Sequence, residues 1–225
     1  MSGSKLVCTL WLVLPWVSSL GSSSAEAQLR DNWHLEKDKN GIQVYSRHLA
    51  DTRLKEIKVH CEMAGYPAQL VAFFTDVDQY SQVLYKNKKA RLLRRVSETE
   101  LYYYAESEMP WPAANRDVVI RLRFAYDPKV RALQITTTAE PDLVPLQEGI
   151  VRVPVWQASW LVQSLSESSM VVDYTFQVDP GGKLPAWLIN ATAAIGPYQS
   201  FVNMREKIQL PRYQGRSFRF MATAN

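Results

Sequence analysis

The chain has 225 residues, 47% of them hydrophobic, 21% charged and 11% aromatic, with a formal charge of +4 at pH 7. That is the composition of one ordinary globular domain or at most two, and it excludes a disordered chain. Nine Gly and 12 Pro exclude a low-complexity or collagenous sequence, two Cys exclude a disulfide scaffold, and 26 basic against 22 acidic residues permit anionic partners without naming one.

The N-terminus reads as an export signal. A short basic start, Met1 to Lys5, precedes the apolar run Leu6 to Leu20, which is too short to span a bilayer comfortably. A polar Gly-Ser stretch then leads to Ala25-Glu26-Ala27, a small-x-small pattern, so cleavage is expected after Ala27. Residues 1–27 form the signal peptide on this reading and 28–225 the domain. Cys8 falls inside the signal, which leaves Cys61 alone and no internal disulfide. No Cys lies at the cut site, so soluble export to a periplasm or the outside is expected rather than lipid anchoring.

Asn32 to Asp38 is expected to form a short helix capped by Asn32, followed by a turn at Lys39-Asn40-Gly41, since Asn and Gly accept positive φ. Ile42 to Arg47 and Leu54 to Met63 alternate apolar and polar residues and predict an antiparallel ribbon. From Pro67 the period changes. Leu70, Phe73, Phe74 and Val77 fall on one face of an amphipathic helix, with a second short helix expected over 76–86.

Six strands come next: Ala90 to Val96, Glu100 to Glu108, Asp117 to Tyr126, Val130 to Ala139, Ile150 to Val162 and Met170 to Val178. Their short connections predict an antiparallel meander. Leu122 and Phe124 alternate with Arg121 and Arg123, Trp156 and Trp160 with Gln157 and Ser159, and Tyr174 and Phe176 lie on the same side of their own strand. One sheet face is therefore apolar and needs a cover. The cover is a final helix opened by Pro185, with Leu184, Leu188, Ala191, Ile195, Tyr198 and Val202 as its stripe; Pro197, after Gly196, is expected to kink or break it.

Three stretches carry a resemblance. They are Trp33 to Asp38 with Gly41 to Arg47 (WHLEKD, GIQVYSR), Pro110 to Val119 (PWPAANRDVV), and Asp179 to Asn190 (DPGGKLPAWLIN). In these residues and in its order of elements the chain resembles the START (StAR-related lipid-transfer) family. The resemblance implies an α+β helix-grip fold, an antiparallel meander curled around a long C-terminal helix. It also implies one lipid or sterol-like molecule held in a tunnel between sheet and helix and carried without catalysis, with no cofactor. The tunnel would then be lined by Leu122, Phe124, Ile135, Trp156, Trp160, Tyr174 and Phe176 from the sheet, and by Leu188, Ala191, Thr192 and Ile195 from the helix. Carried over from the family's strand-opening Arg-Asp, Arg116 becomes the contact for a ligand's polar head, with Glu106 as its possible partner.

Strand parity locates the mouth. Alternate connections of a meander share one end, which groups 109–115, 140–148 and 179–183 with the start of the last helix. These loops hold Trp111, Leu143, Val144, Leu146, Leu184 and Trp187, much apolar surface for loops, stiffened by Pro110, Pro112, Pro141, Pro145 and Pro185. An indole there would suit a transient contact with a membrane surface or would plug the core.

Other chemistry finds little support. His34, His48 and His60 have no metal-ligand spacing, and no nucleophile elbow, phosphate loop or dinucleotide fingerprint occurs. The alternative on the same fold is an enzyme of the polyketide cyclase or aromatase type, for which Thr137, Tyr174, Thr192 and Tyr198 are the candidate groups. The densest basic stretch, Lys86 to Arg95 (KNKKARLLRR), fits a charge-guarded edge strand or an anionic lipid surface better than nucleic acid. A monomer without nucleic acid is expected.

Overall fold

The structure, a computed structural model, describes residues 33–49, 55–184 and 186–222, and over 186–194 the backbone alone. The expected signal segment lies outside the described residues. Within them the chain forms one antiparallel sheet in the order β1-β2-β3-β10-β9-β7-β6-β5-β4 with a long C-terminal helix, an α+β architecture. The strands are β1 (His34–Lys39), β2 (Ile42–His48), β3 (Lys55–Ala64), β4 (Asn87–Arg95), β5 (Glu100–Ser107), β6 (Arg116–Asp127), β7 (Ala132–Ala139), β8 (Val151–Arg152), β9 (Val155–Ser164) and β10 (Ser169–Asp179). The helices are α1 (Pro67–Thr75), α2 (Tyr80–Val83) and α3 (Ala186–Lys207).

Three elements depart from the sequence expectations. The segment expected as the first helix is strand β1. Asn40 and Gly41, at φ 55° and 68°, make a two-residue turn that pairs Lys39 with Ile42, and such a hairpin requires a strand on each side. The single strand expected over 150–162 is two: Val153 and Pro154 interrupt it, and β8 leaves the meander to pair in parallel with β6. The short helix expected over 76–86 is a 3-10 turn, Val77–Gln79, followed by the single turn α2. α3 runs unbroken through Pro197.

The start of α1 shows why the chain turns there. Pro67 occupies the first turn, and Gln69 Oε1 accepts the Tyr66 N–H at 2.9 Å, satisfying a donor the helix cannot. Gln69 Nε2 donates to the Ile208 carbonyl at 2.9 Å, tying α1 to the chain beyond α3. Gly65 (φ 118°) has no room for a side chain, since a Cβ would collide with Gln69 Oε1.

The inner face of the sheet is divided along the strands. Leu101, Leu122, Leu133, Ile135, Val162, Met170 and Val172 are fully buried, where α1 and the C-terminal residues cover the sheet. Burial of each such side chain stabilises by about 1.5–3 kcal/mol. Phe124 stacks on Phe220 at 6.1 Å, and Phe74 meets Trp160 edge-on at 5.0 Å. Toward the other end, the same faces of the same strands line open space.

That other end is held by two arginines. Arg152 forms a buried ion pair with Asp117, Nε to Oδ1 at 2.8 Å and Nη2 to Oδ2 at 3.0 Å, the side chains 6% and 1% exposed. Its remaining donors reach the carbonyls of Pro141, Val144 and Pro145. Arg116 donates to the carbonyls of Ala114, Pro180 at 3.2 Å and Gly181 at 3.1 Å. Gly181 needs its left-handed φ of 67° and its lack of a Cβ, which would lie 2.9 Å from the Arg152 carbonyl oxygen.

Removing one charge of the buried pair strands the other. Asp117→Asn is expected to cost about 3–5 kcal/mol, measured by urea unfolding at pH 7, and to loosen the 140–148 loop that Arg152 holds in hydrogen exchange.

Candidate functional site

Between the sheet and α3 lies a cavity of about 610 Å³. Its walls are apolar in the main: Ile57, Tyr103, Ala105, Val118, Ile120 and Val178 from the sheet, with Phe201 and Met204 from α3. Gly196 and Pro197 of the helix also face it. The volume is in the range of small-molecule sites.

Of the residues expected to line a tunnel, Trp156, Trp160, Tyr174 and Phe176 do line this cavity. They form a connected aromatic wall, with Trp160 and Tyr174 ring centres 4.2 Å apart and Trp156 stacked on Phe176 at 5.5 Å. Phe201 closes it from the helix, parallel to Trp160 at 5.1 Å. Leu122, Phe124 and Ile135 do not reach the cavity. They point to the correct face but sit at the packed end, under α1 and the C-terminal turn. Ile195 is corrected as well, being 47% exposed on the outer side of α3. The side chains of Leu188, Ala191, Thr192 and Trp187 lie outside the described residues.

Val118, Ile120, Tyr103 and Ala105 line the cavity without having been expected to. They share parity with the expected residues, and the signal that marks them is position along the strand, toward the loop end.

A polar row crosses that end of the cavity. Asn87 is paired with Ser107 across β4 and β5, and Ser107 with Arg116 across β5 and β6, so the three side chains stand side by side on the cavity face. Arg116 is 6% exposed and among the described residues bonds carbonyl oxygens alone, and burial draws its pKa below the ordinary guanidinium value. Glu106, expected as a possible partner, is on the opposite face. There it accepts from Lys88 Nζ at 3.0 Å and Asn115 Nδ2 at 2.8 Å. Adjacent strand residues point to opposite faces, so a Glu next to Ser107 cannot join the row.

Three of the four candidate hydroxyls for chemistry belong to described side chains. Thr137 Oγ1 accepts the Trp156 indole N–H at 3.0 Å, and the Tyr198 hydroxyl accepts from Asn40 Nδ2 at 3.2 Å. Burial pushes the Tyr174 phenol far above its usual range, which holds it neutral. Among the described residues no cluster of His, Cys, Asp and Glu fits a metal ion.

Beside the row stand the loops expected as the mouth. Trp111 is 92% exposed, Leu146 73% and Leu143 45%. Val144 and Leu184 are half-buried, and Leu184 reaches the cavity wall. The Trp111 indole is therefore no plug. Yet its loop is tied down: Ala113 N–H bonds the Pro110 carbonyl at 3.0 Å, Met109 N–H reaches Asn115 Oδ1 at 3.3 Å, and the Asn115 carbonyl accepts Val151 N–H at 3.0 Å.

Comparison with known proteins agrees with this geometry. The chain is 27% identical over 180 residues to an uncharacterized protein of Pseudomonas aeruginosa, covering 79% of this chain and 87% of that one. It is 28% identical over 170 residues to the phosphatidylcholine transfer protein of Mus musculus, covering 73% and 78%. Among solved structures, a STAR-related lipid transfer protein from Xanthomonas axonopodis superposes with a TM-score of 0.74 at 28% identity, covering 80% of this chain and all of that one. The START domain model matches residues 22–211, and the chain therefore belongs to the START domain family, whose helix-grip fold it has.

Proposed function

We propose that this protein binds one hydrophobic molecule, a lipid or sterol-like compound, in the cavity beneath α3 and carries or presents it unchanged. The observation that carries the reading is the 610 Å³ apolar cavity whose polar row abuts loops exposing Trp111 and Leu146. A packed domain of this size keeps few voids larger than a water molecule, so the space has a use. The relatives named for lipid transfer support the same ligand class. Trp111, Leu143 and Leu146 serve as a transient membrane contact while cargo passes, since indole favours the bilayer interface. The apolar run followed by Ala25-Glu26-Ala27 makes the carrier an exported one.

Native mass spectrometry of the purified protein, followed by solvent extraction, is expected to give one bound hydrophobic molecule per chain; an empty protein that refuses every offered lipid and sterol would sink the reading. Trp111→Ala is expected to slow transfer between vesicles about fivefold, taking the indole's interfacial gain as on the order of 1 kcal/mol, while unfolding stability stays within about 0.5 kcal/mol because the side chain is 92% exposed. N-terminal sequencing of the exported form is expected to begin at Gln28.

A further inference from the structure

Two phenols of the cavity wall have no partner. Tyr103 of β5 and Tyr174 of β10 both line the cavity, 8% and 7% exposed, and neither hydroxyl makes a hydrogen bond among the described residues. Their oxygens are not sealed off. The described side-chain atoms that lack both a partner and any surface are Asn87 Oδ1 and Arg205 Nε, so each phenol oxygen keeps some surface, and on this face of the sheet that surface belongs to the cavity. A hydroxyl taken out of water with nothing to bond is costly, and two that open on one space call for a common partner.

The pair stands at the inner end. In the sheet β10 and β5 are separated by β9, β7 and β6, and the curl around the cavity brings Tyr103 near enough to act on the ionisation of Tyr174. Tyr103 meets Tyr80 edge-on at 5.1 Å, and Tyr80 stacks on Phe73 at 6.0 Å. Tyr174 lies 4.2 Å from Trp160, which meets Phe74 edge-on at 5.0 Å. Each phenol is thus one ring removed from α1 and the packed core. Ser107 follows Tyr103 by four residues on the same strand, so the polar row of the loop end is about 13 Å away.

The protons of the pair decide what it recognises. Burial lifts both phenols far above their usual range, so each stays an O–H donor. The charged residues at the cavity wall, Lys55, Lys86, Glu108 and Arg116, sit at or beside strand ends on the loop side, which leaves an ionised group at the inner end without a counter-charge. Two donors match the two lone pairs of one carbonyl oxygen. A ligand hydroxyl leaves one of the three protons unpaired whichever way it turns.

We infer that the inner end of the cavity is a carbonyl site, where Tyr103 and Tyr174 donate together to one uncharged ketone oxygen at the end of the cargo that enters first. This rests on the carrier reading and narrows its ligand class.

The test offers the full chain two matched sets of probes, cholestanone, cholestanol and cholestane, and methyl pentadecyl ketone, its alcohol and its alkane. Binding is followed by competition in native mass spectrometry, and the ketone stretch by isotope-edited infrared spectroscopy. On a skeleton that binds, the ketone is expected to bind about tenfold tighter than the alkane and at least about threefold tighter than the alcohol, with its stretch shifted to lower frequency. Tyr103→Phe and Tyr174→Phe are each expected to weaken ketone binding about threefold to tenfold, reverse part of the infrared shift and leave the alkane within about threefold. Since neither hydroxyl has a partner, the ligand-free variants are expected to unfold at the parent's urea concentration or above it. The inference is overturned if alcohol or alkane binds as tightly as the ketone, or if both variants keep the preference and the shift. It is equally overturned if the ligand-free variants unfold earlier, the sign of phenols already satisfied by a trapped water. Failure of every probe to bind overturns the carrier reading itself.

Discussion

Two buried arginines at one end of the sheet hold the loops that stand beside the cavity. Arg152 and Asp117 are buried together, and a pair so placed persists only when the leftover donors are satisfied. The backbone carbonyls of the 140–148 loop do this. Arg116, one residue before Asp117, does the same for 114 and for 180–181 with no ion pair among the described residues. Because neighbours on a strand face opposite ways, one arginine is directed to the cavity and the acid beside it to the outer face. A dipeptide at the start of β6 thus organises both the loop end and the polar end of the cavity.

Alternation makes the sheet, the inner face and the covering helix legible in the sequence. It does not tell how far along each strand the packed core extends. Leu122 and Ile120 have the same parity, yet Leu122 is in the packed core and Ile120 at the cavity wall, because the C-terminal turn at Phe220 packs against β6 at one end only. That division is a long-range packing result with no local periodicity. β1 departs from expectation for a different reason. Asn40-Gly41 marks a turn, but its two-residue length already demands a strand before it, against a helix-like pattern in WHLEKD. Trp111 is undecidable from its residue type, since an indole at a loop end occurs both as plug and as exposed group.

The basic stretch at 86–95 forms edge strand β4, with order β6-β5-β4 ending the sheet. On its outer face Arg91 lies over the Tyr104 ring at 5.4 Å and Arg94 over Tyr102 at 4.8 Å. These cations cover aromatic rings and keep the unpaired edge charged, which discourages pairing with another chain. Much of the charge that resembles a binding signal is thereby accounted for by the sheet's own needs.

The tethering of the Trp111 loop has a thermodynamic side. Ordering a free loop residue costs about 1–2 kcal/mol of backbone entropy. Hydrogen bonds at 109, 113 and 115 and the Arg116 contact to Ala114 have met that cost during folding. A surface that takes up this indole gains its apolar area without having to immobilise the backbone that presents it, so the loop can engage and release such a surface at little change in its own disorder.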